Sequence, residues 1–136
     1  MFSQCSSLTQ LILPPILYSI GYSGFNKCSS LTQITIPSSV TSIKCYAFHK
    51  CSSLTEIIIL SSVTSIGHNC FEKCSLITQI IIPSKVTKIE KYTFANCTSL
   101  KRVEIPSSVN FIDEYAFYDC KSLIEIKIPE SVTTIY

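Results

Sequence analysis

Eight cysteines and two histidines in 136 residues are the groups in this chain with the most chemistry to offer. Cysteine can close a disulfide, bind a metal as thiolate, or attack as a nucleophile when a neighbouring base lowers its pKa. The run His68-x-Cys70-x-x-x-Cys74, with Glu72 inside it, has the ligand types and close spacing of a zinc site. Cys45 stands 23 residues before His68. A fold with that period would set the pair side by side as an activated thiol or half a metal site. Asn96-Cys97-Thr98 is a formal N-glycosylation sequon. No P-loop or dinucleotide fingerprint occurs, and no Ser-His-Asp arrangement that repetition does not explain more simply.

Spacing decides how these groups are read. Cys5, Cys28, Cys51, Cys74, Cys97 and Cys120 are separated by 23 residues each, and the same step carries Phe2, Phe25, Phe48, Phe71, Phe94 and Phe117. Other columns stay in phase: Leu8 to Leu123, Leu11 to Ile126, Leu13 to Ile128, Leu17 to Val132 and Ile20 to Ile135. Proline closes the I-x-I segment at Pro14, Pro37, Pro83, Pro106 and Pro129, with Leu60 the exception. The I-x-I alternation is the period of 2 of a half-buried strand. Proline stops it because it cannot donate to a ladder. The V-T-x-I piece is β-rich and extended too, and the small residue before Phe (Gly24, Ala47, Cys70, Thr93, Ala116) suits a tight turn or single helical turn.

A unit this short cannot bury its apolar face alone, so like columns must stack coil on coil. The expected fold is a repeat solenoid of leucine-rich-repeat type, mainly β. A parallel ladder forms one side, and short turns or second short strands form the opposite side. Residues 1–136 read as a single array of about six repeats, incomplete at both ends. Terminal coils of such an array expose apolar columns and strand edges, which makes end-to-end self-association an expectation.

Within that frame the chemistry recedes. The cysteine column becomes a ladder of small buried thiols, since in-register side chains point the same way and give poor disulfide geometry. Cys70 and Cys74 fall in core columns, so metal and cofactors are not expected. Cys45 falls in a variable, exposed column (Tyr22, Cys45, His68, Lys91, Glu114), and nothing around it supplies an oxyanion donor or an orienting carboxylate. Catalysis is not expected, and the many serines and threonines are read as filler at turns.

The net charge is +2, and Lys and Arg form no runs of the kind nucleic acid or anionic lipid would require. Charge is nonetheless uneven: six lysines face Glu56 and Glu72 before Ile89, whereas seven acids face five bases after it. The stretch Leu11 to Leu17 is short and broken by Pro14 and Pro15, unlike a secretory signal, and no run approaches the roughly 20 apolar residues of a membrane-spanning helix. No direct membrane insertion is expected, and the missing signal together with reduced-looking cysteines favours the cytoplasm.

The unit L-x-x-I-x-I-P-x-S-V-T-x-I-x-x-x-A-F-x-x-C, recurring through nearly the whole chain, resembles the BspA-type leucine-rich repeat. That resemblance implies a surface antigen or adhesin of the kind found on bacteria and parasitic protists, binding host or matrix proteins, with a cell-surface or secreted location. An intracellular interaction scaffold is the alternative. In either case the outward residues of the strands form the expected partner surface: Gln10 and Ile12, Gln33 and Thr35, Glu56 and Ile58, Gln79 and Ile81, Arg102 and Glu104, Glu125 and Lys127. The first four pairs offer amide and aliphatic groups, and the last two offer charges. Tyr46, Tyr92, Tyr115 and Tyr118 make a second candidate surface, and Asn96, in the column of Lys27, Lys50 and Lys73, is expected to be exposed.

Overall fold

A computed structural model describes residues 2–136. The I-x-I segments become strands β2 (Gln33–Thr35), β4 (Glu56–Ile58), β6 (Gln79–Ile81), β8 (Arg102–Glu104) and β10 (Glu125–Ile126). The V-T-x-I segments become a second set on the other side of each coil: β1 (Ser19–Ile20), β3 (Ser42–Ile43), β5 (Ser65–Ile66), β7 (Lys88–Ile89), β9 (Phe111–Ile112) and β11 (Thr134–Ile135). All pairing is parallel and in the register of the repeat, as in Ile34 against Ile57 and Ile43 against Ile66. The chain is therefore a parallel β-solenoid of about five turns, with no helix among the described residues.

The first repeat departs from one strand per repeat: Gln10 to Leu13 is not a strand, although its columns match. Pro14 and Pro15 follow it and remove two successive donors. Leu60 makes the opposite point. The turn after β4 closes through Val63 N–H to Leu60 O at 3.1 Å, matching Val40 to Pro37 and Val86 to Pro83 at 3.0 Å. Proline is thus dispensable for the turn, whose hydrogen bond uses the carbonyl and not the ring.

The interior is a set of ladders. Leu31, Leu54, Ile77 and Leu100 are fully buried, as are Val40, Val63 and Val109. The phenylalanine rings form one continuous stack, with centroids 5.2 to 5.7 Å apart and planes within 11° of parallel. The spacing falls in the range of offset-stacked aromatic pairs, so each coil step carries one ring onto the next. Burying these columns drives the fold, since no single coil has a core of its own.

The turn carrying Phe and Cys contains a feature that residue types conceal. Two columns have left-handed backbone: Ser23, Tyr46, Asn69, Tyr92 and Tyr115 at φ 52 to 59°, and Gln4, Lys27, Lys50, Lys73, Asn96 and Asp119 at φ 57 to 66°. No glycine has positive φ. Side chains rarely sit there because Cβ crowds the following carbonyl, so the coil-to-coil hydrogen bonds must hold them. Tyr46 N–H donates to His68 O and Lys50 N–H to Glu72 O, and these bonds repeat along the array.

On the strand sides the ladders break once. Sheets run β1-β3-β5 and β2-β4, then β6-β8-β10 and β7-β9-β11, with no ladder joining β4 to β6 or β5 to β7. The turn side stays continuous across this junction through Asn69 N–H to Lys91 O, Phe71 N–H to Thr93 O and Lys73 N–H to Ala95 O.

Candidate interaction surface

Strand alternation positions the face. In β2, β4, β6 and β8 the central Ile34, Ile57, Ile80 and Val103 point inward, and the flanking residues are exposed. Parallel pairing aligns Gln33 with Glu56 and Thr35 with Ile58, then Gln79 with Arg102 and Ile81 with Glu104, and Glu125 with Arg102. Lys127 follows β10 and is exposed. The face divides as its composition suggests. Ile12, Ile58 and Ile81 stand 95%, 50% and 60% exposed along the first four coils. In the fifth coil Arg102 lies 3.5 Å from Glu104, and both are largely exposed. Shallow depressions run along it, one lined by Ile12, Thr35 and Ile58, another by Ile58 and Ile81, a third by Arg102, Glu104 and Lys127.

The cysteine chemistry resolves into structure. Cys28, Cys51, Cys74, Cys97 and Cys120 each donate the thiol hydrogen to the carbonyl of Phe2, Phe25, Phe48, Phe71 and Phe94, at 3.0 to 3.2 Å. Burial pushes the Cys51 thiol up to about 12 and that of Cys120 to about 11, the wrong direction for a nucleophile or ligand. Cys70 and Cys74 are fully buried in the core columns, which raises both thiols, and Cys74 gives its hydrogen to the Phe48 carbonyl. Cys45 and His68 occupy adjacent coils but do not form a dyad. The His68 ring pairs its Nδ1 with Asn69 Oδ1 at 2.8 Å and meets the edge of Tyr46, while Cys45 Sγ lies against Gly67. Nor is Cys45 the exposed thiol of the set: it is half-buried, and Cys5 is exposed. Cys5 lacks a preceding described coil to cover it.

Serine and threonine are more than filler. Thr41, Thr55, Thr64 and Thr133 donate their hydroxyls to backbone carbonyls one coil back, and Ser39, Ser108 and Ser131 do so to Leu17, Val86 and Val109 at 2.7 Å. They add side-chain rungs between coils.

A scan of family models matches residues 1–123 as six copies of the BspA type leucine-rich repeat region. The chain belongs to the BspA-type leucine-rich repeat family. Among solved structures this BspA-type array resembles a leucine-rich cell surface protein of Faecalibacterium prausnitzii, at 39% identity and a TM-score of 0.83, covering 90% of this chain and 33% of that one. It also resembles a leucine-rich repeat protein of Treponema pallidum (26% identity, TM-score 0.74, 91% and 69% covered). A third relative is from Eubacterium ventriosum (30% identity, TM-score 0.68, 90% and 39% covered). The chain thus spans about a third of the Faecalibacterium protein. No curated protein matches it.

One grouping on this BspA-type array escaped the reading of the sequence, and a second, the tyrosines already read there as a candidate surface, shows its contacts only in the structure. Asn26, His49 and Glu72, each 23 residues from the next, form a line: His49 Nδ1 is 3.0 Å from Asn26 Oδ1, and its Nε2 is 3.6 Å from Glu72 Oε2. Burial lowers the His49 pKa against the raising effect of Glu72, with Lys50, Lys73 and Lys27 also lowering it. The ring thus sits between side chains of the two neighbouring coils, hydrogen-bonded to Asn26 and beside the Glu72 carboxylate. The tyrosines form the second grouping. Tyr92 and Tyr115 stack at 5.0 Å, Tyr118 meets Tyr115 edge-on, and Lys91, bonded to Glu114, sits 5.6 and 5.9 Å from the Tyr92 and Tyr115 ring centres. The signal for both was available in the 23-residue columns, once these are read for side chains that can bond along the stack.

Proposed function

We propose that this chain is the protein-binding segment of a surface antigen or adhesin and that β2, β4, β6, β8 and β10 present its partner face. Membership of the leucine-rich repeat family supports a non-catalytic interaction scaffold. The observation that carries the assignment to this face is the row Ile12, Ile58 and Ile81, exposed although the core columns beside them are filled. Ile58 and Ile81 on neighbouring coils, with Ile12 two coils before, place exposed apolar side chains on one side of the array, which supports a contact surface there. Gln33, Thr35, Glu56 and Gln79 supply polar contacts around them, and Arg102, Glu104, Glu125 and Lys127 supply charge at the far end. A host or matrix protein is the partner proposed, in line with the cell surface protein of Faecalibacterium prausnitzii that the chain resembles. Asn96 is half-buried on its turn and would carry a glycan only on export through a glycosylating route.

A solid-phase assay against purified matrix glycoproteins tests this with two variants, Ile58→Ser with Ile81→Ser, and charge reversal at Arg102, Glu104, Glu125 and Lys127. Binding lost in either variant, with β-structure retained, supports the face. Unchanged binding in both variants overturns it.

Eight free thiols favour a second reading, an interaction scaffold in a reducing compartment. Labelling of intact cells with an antibody to the folded array separates the two, since only a surface protein is labelled without permeabilisation.

A further inference from the structure

Lysines that lie far apart in the chain are brought into one row on the turn side. Lys27, Lys50 and Lys73 occupy successive coils at the same register. Their backbone is held at φ 61 to 63°, and their N–H groups donate to His49, Glu72 and Ala95 of the next coil. The coil step is the spacing of parallel paired strands, about 4.8 Å. Lys27 and Lys73 are exposed and Lys50 is half-buried. Only Lys73 has a carboxylate nearby among the described residues, Glu72 at 3.8 Å. Like charges stacked on adjacent rungs repel and cost stability. A second row runs beside the first: Ser29, Ser52 and Ser75, with the lysines, line one shallow channel that ends at Asn96.

From this arrangement we infer that the turn side of the solenoid binds an extended acidic polysaccharide, its carboxylates or sulfates on the lysine row and its hydroxyls on the serine row. The site is separate from the strand face of the proposed adhesin and does not depend on it. Charge complementarity selects an anion, and the straight row selects a linear chain with regularly placed charge. The lining selects the class. Single-stranded nucleic acid sites combine a basic groove with aromatic rings on which bases stack, and this channel is lined by Ser, Lys, Gln and Asn side chains with no aromatic ring among them. An acidic peptide in extended form repeats its same-face side chains at about 6.8 Å, out of step with the coils.

The probe is polygalacturonate, followed by affinity electrophoresis of the full chain in low and high salt. Dextran as a neutral polymer, single-stranded DNA and polyglutamate serve as comparators. Retardation by polygalacturonate that weakens with salt is expected, and dextran should have no effect. Lys27→Gln, Lys50→Gln and Lys73→Gln together should weaken binding by roughly tenfold or more, given about fivefold per lysine. Lys85→Gln with Lys88→Gln, a pair exposed outside the channel, should leave it unchanged. No retardation of the parent, or equal retardation of the triple variant, overturns the proposal. Tighter binding of DNA or polyglutamate than of polygalacturonate overturns the class of ligand. Far-ultraviolet dichroism of the triple variant confirms the fold, and loss of matrix-protein binding by the strand-face variants is read independently of this result.

Discussion

The thiol of Cys74 donates to the carbonyl oxygen of Phe48, 3.1 Å away and 26 residues earlier in the chain. The turn that places Phe48 in the ring stack directs its carbonyl into the interior, where it accepts from Cys51 N–H at 3.1 Å within its own turn and from the small thiol donor one coil later at its second lone pair. Cysteine fits that place because it is small, apolar enough to bury and still a weak donor.

Removing the donor should therefore cost more than removing a methyl-sized volume. Cys74→Ala is expected to destabilise the protein by about 0.5–1.5 kcal/mol by removing the second of the two hydrogen bonds that the Phe48 carbonyl accepts, the first coming from Cys51 N–H. Cys5→Ala, at an exposed position, should stay within about 0.5 kcal/mol of the parent. Urea denaturation of both variants checks this, and a Cys74→Ala protein as stable as the parent would show that the bond contributes nothing.

The same thiols predict how stability responds to alkali. In the unfolded chain Cys51 ionises near the ordinary thiol value of 9.0, whereas in the fold burial raises it to about 12. Above pH 9 the unfolded state loses its proton and the folded state keeps it, so ionisation favours unfolding. Stability is expected to be level in this respect below pH 8 and to decline between pH 9 and about 12, with Cys120 adding to the decline up to about 11. Denaturation midpoints at pH 7, 9 and 10.5 measure it, and Cys51→Ala should flatten the slope.

Two glycines should respond to the same substitution with opposite signs. A Cβ on Gly67 would lie 2.5 Å from the Cys45 backbone nitrogen, so Gly67→Ala forces adjacent coils apart, at about 1–3 kcal/mol. A Cβ on Gly21 would meet nothing within 4 Å, and φ there is not positive, so Gly21→Ala should be neutral or stabilising by up to about 1 kcal/mol. Thermal melts of the two variants moving in the same direction would contradict the packing described between coils.

Left-handed backbone at Lys50, φ 61°, makes a further stability prediction. Lys50→Asn should be tolerated, because asparagine visits this region readily, whereas Lys50→Val should lower stability by about 1–2 kcal/mol. Equal melting temperatures for the two would mean that the turn relaxes to another conformation.

Much of the fold was legible before any coordinates. The I-x-I and V-T-x-I pieces predicted both sets of strands, such as β4 and β5, because alternation with period 2 is a local property of the chain. Columns such as Leu31, Leu54 and Ile77 predicted the core, because equal spacing and equal chemistry leave parallel stacking as the arrangement that buries them. The strand face followed from the same alternation: Gln79 and Ile81 must point outward if Ile80 points in. Where reading stopped short, the cause was physical. Gln10 to Leu13 carries the pattern of a strand but has a double proline after it, which removes two successive donors. Cys45 and His68 are adjacent by period, yet His68 turns to Asn69 and Tyr46, a choice of rotamer that column spacing does not contain.

The sequence by itself determined the period, the register and which side chains are buried, since these depend on the order of apolar and polar residues along a chain that must stack on itself. Tertiary structure alone decided the thiol-to-carbonyl bonds, the left-handed turns at tyrosine and lysine, and the line of Asn26, His49 and Glu72. It also assembled the row of Lys27, Lys50 and Lys73 from residues that no local run of charge reveals. Each of these depends on backbone dihedrals, or on atoms one coil apart, where the deciding energies are those of hydrogen bonds and charges and not of hydrophobic pattern.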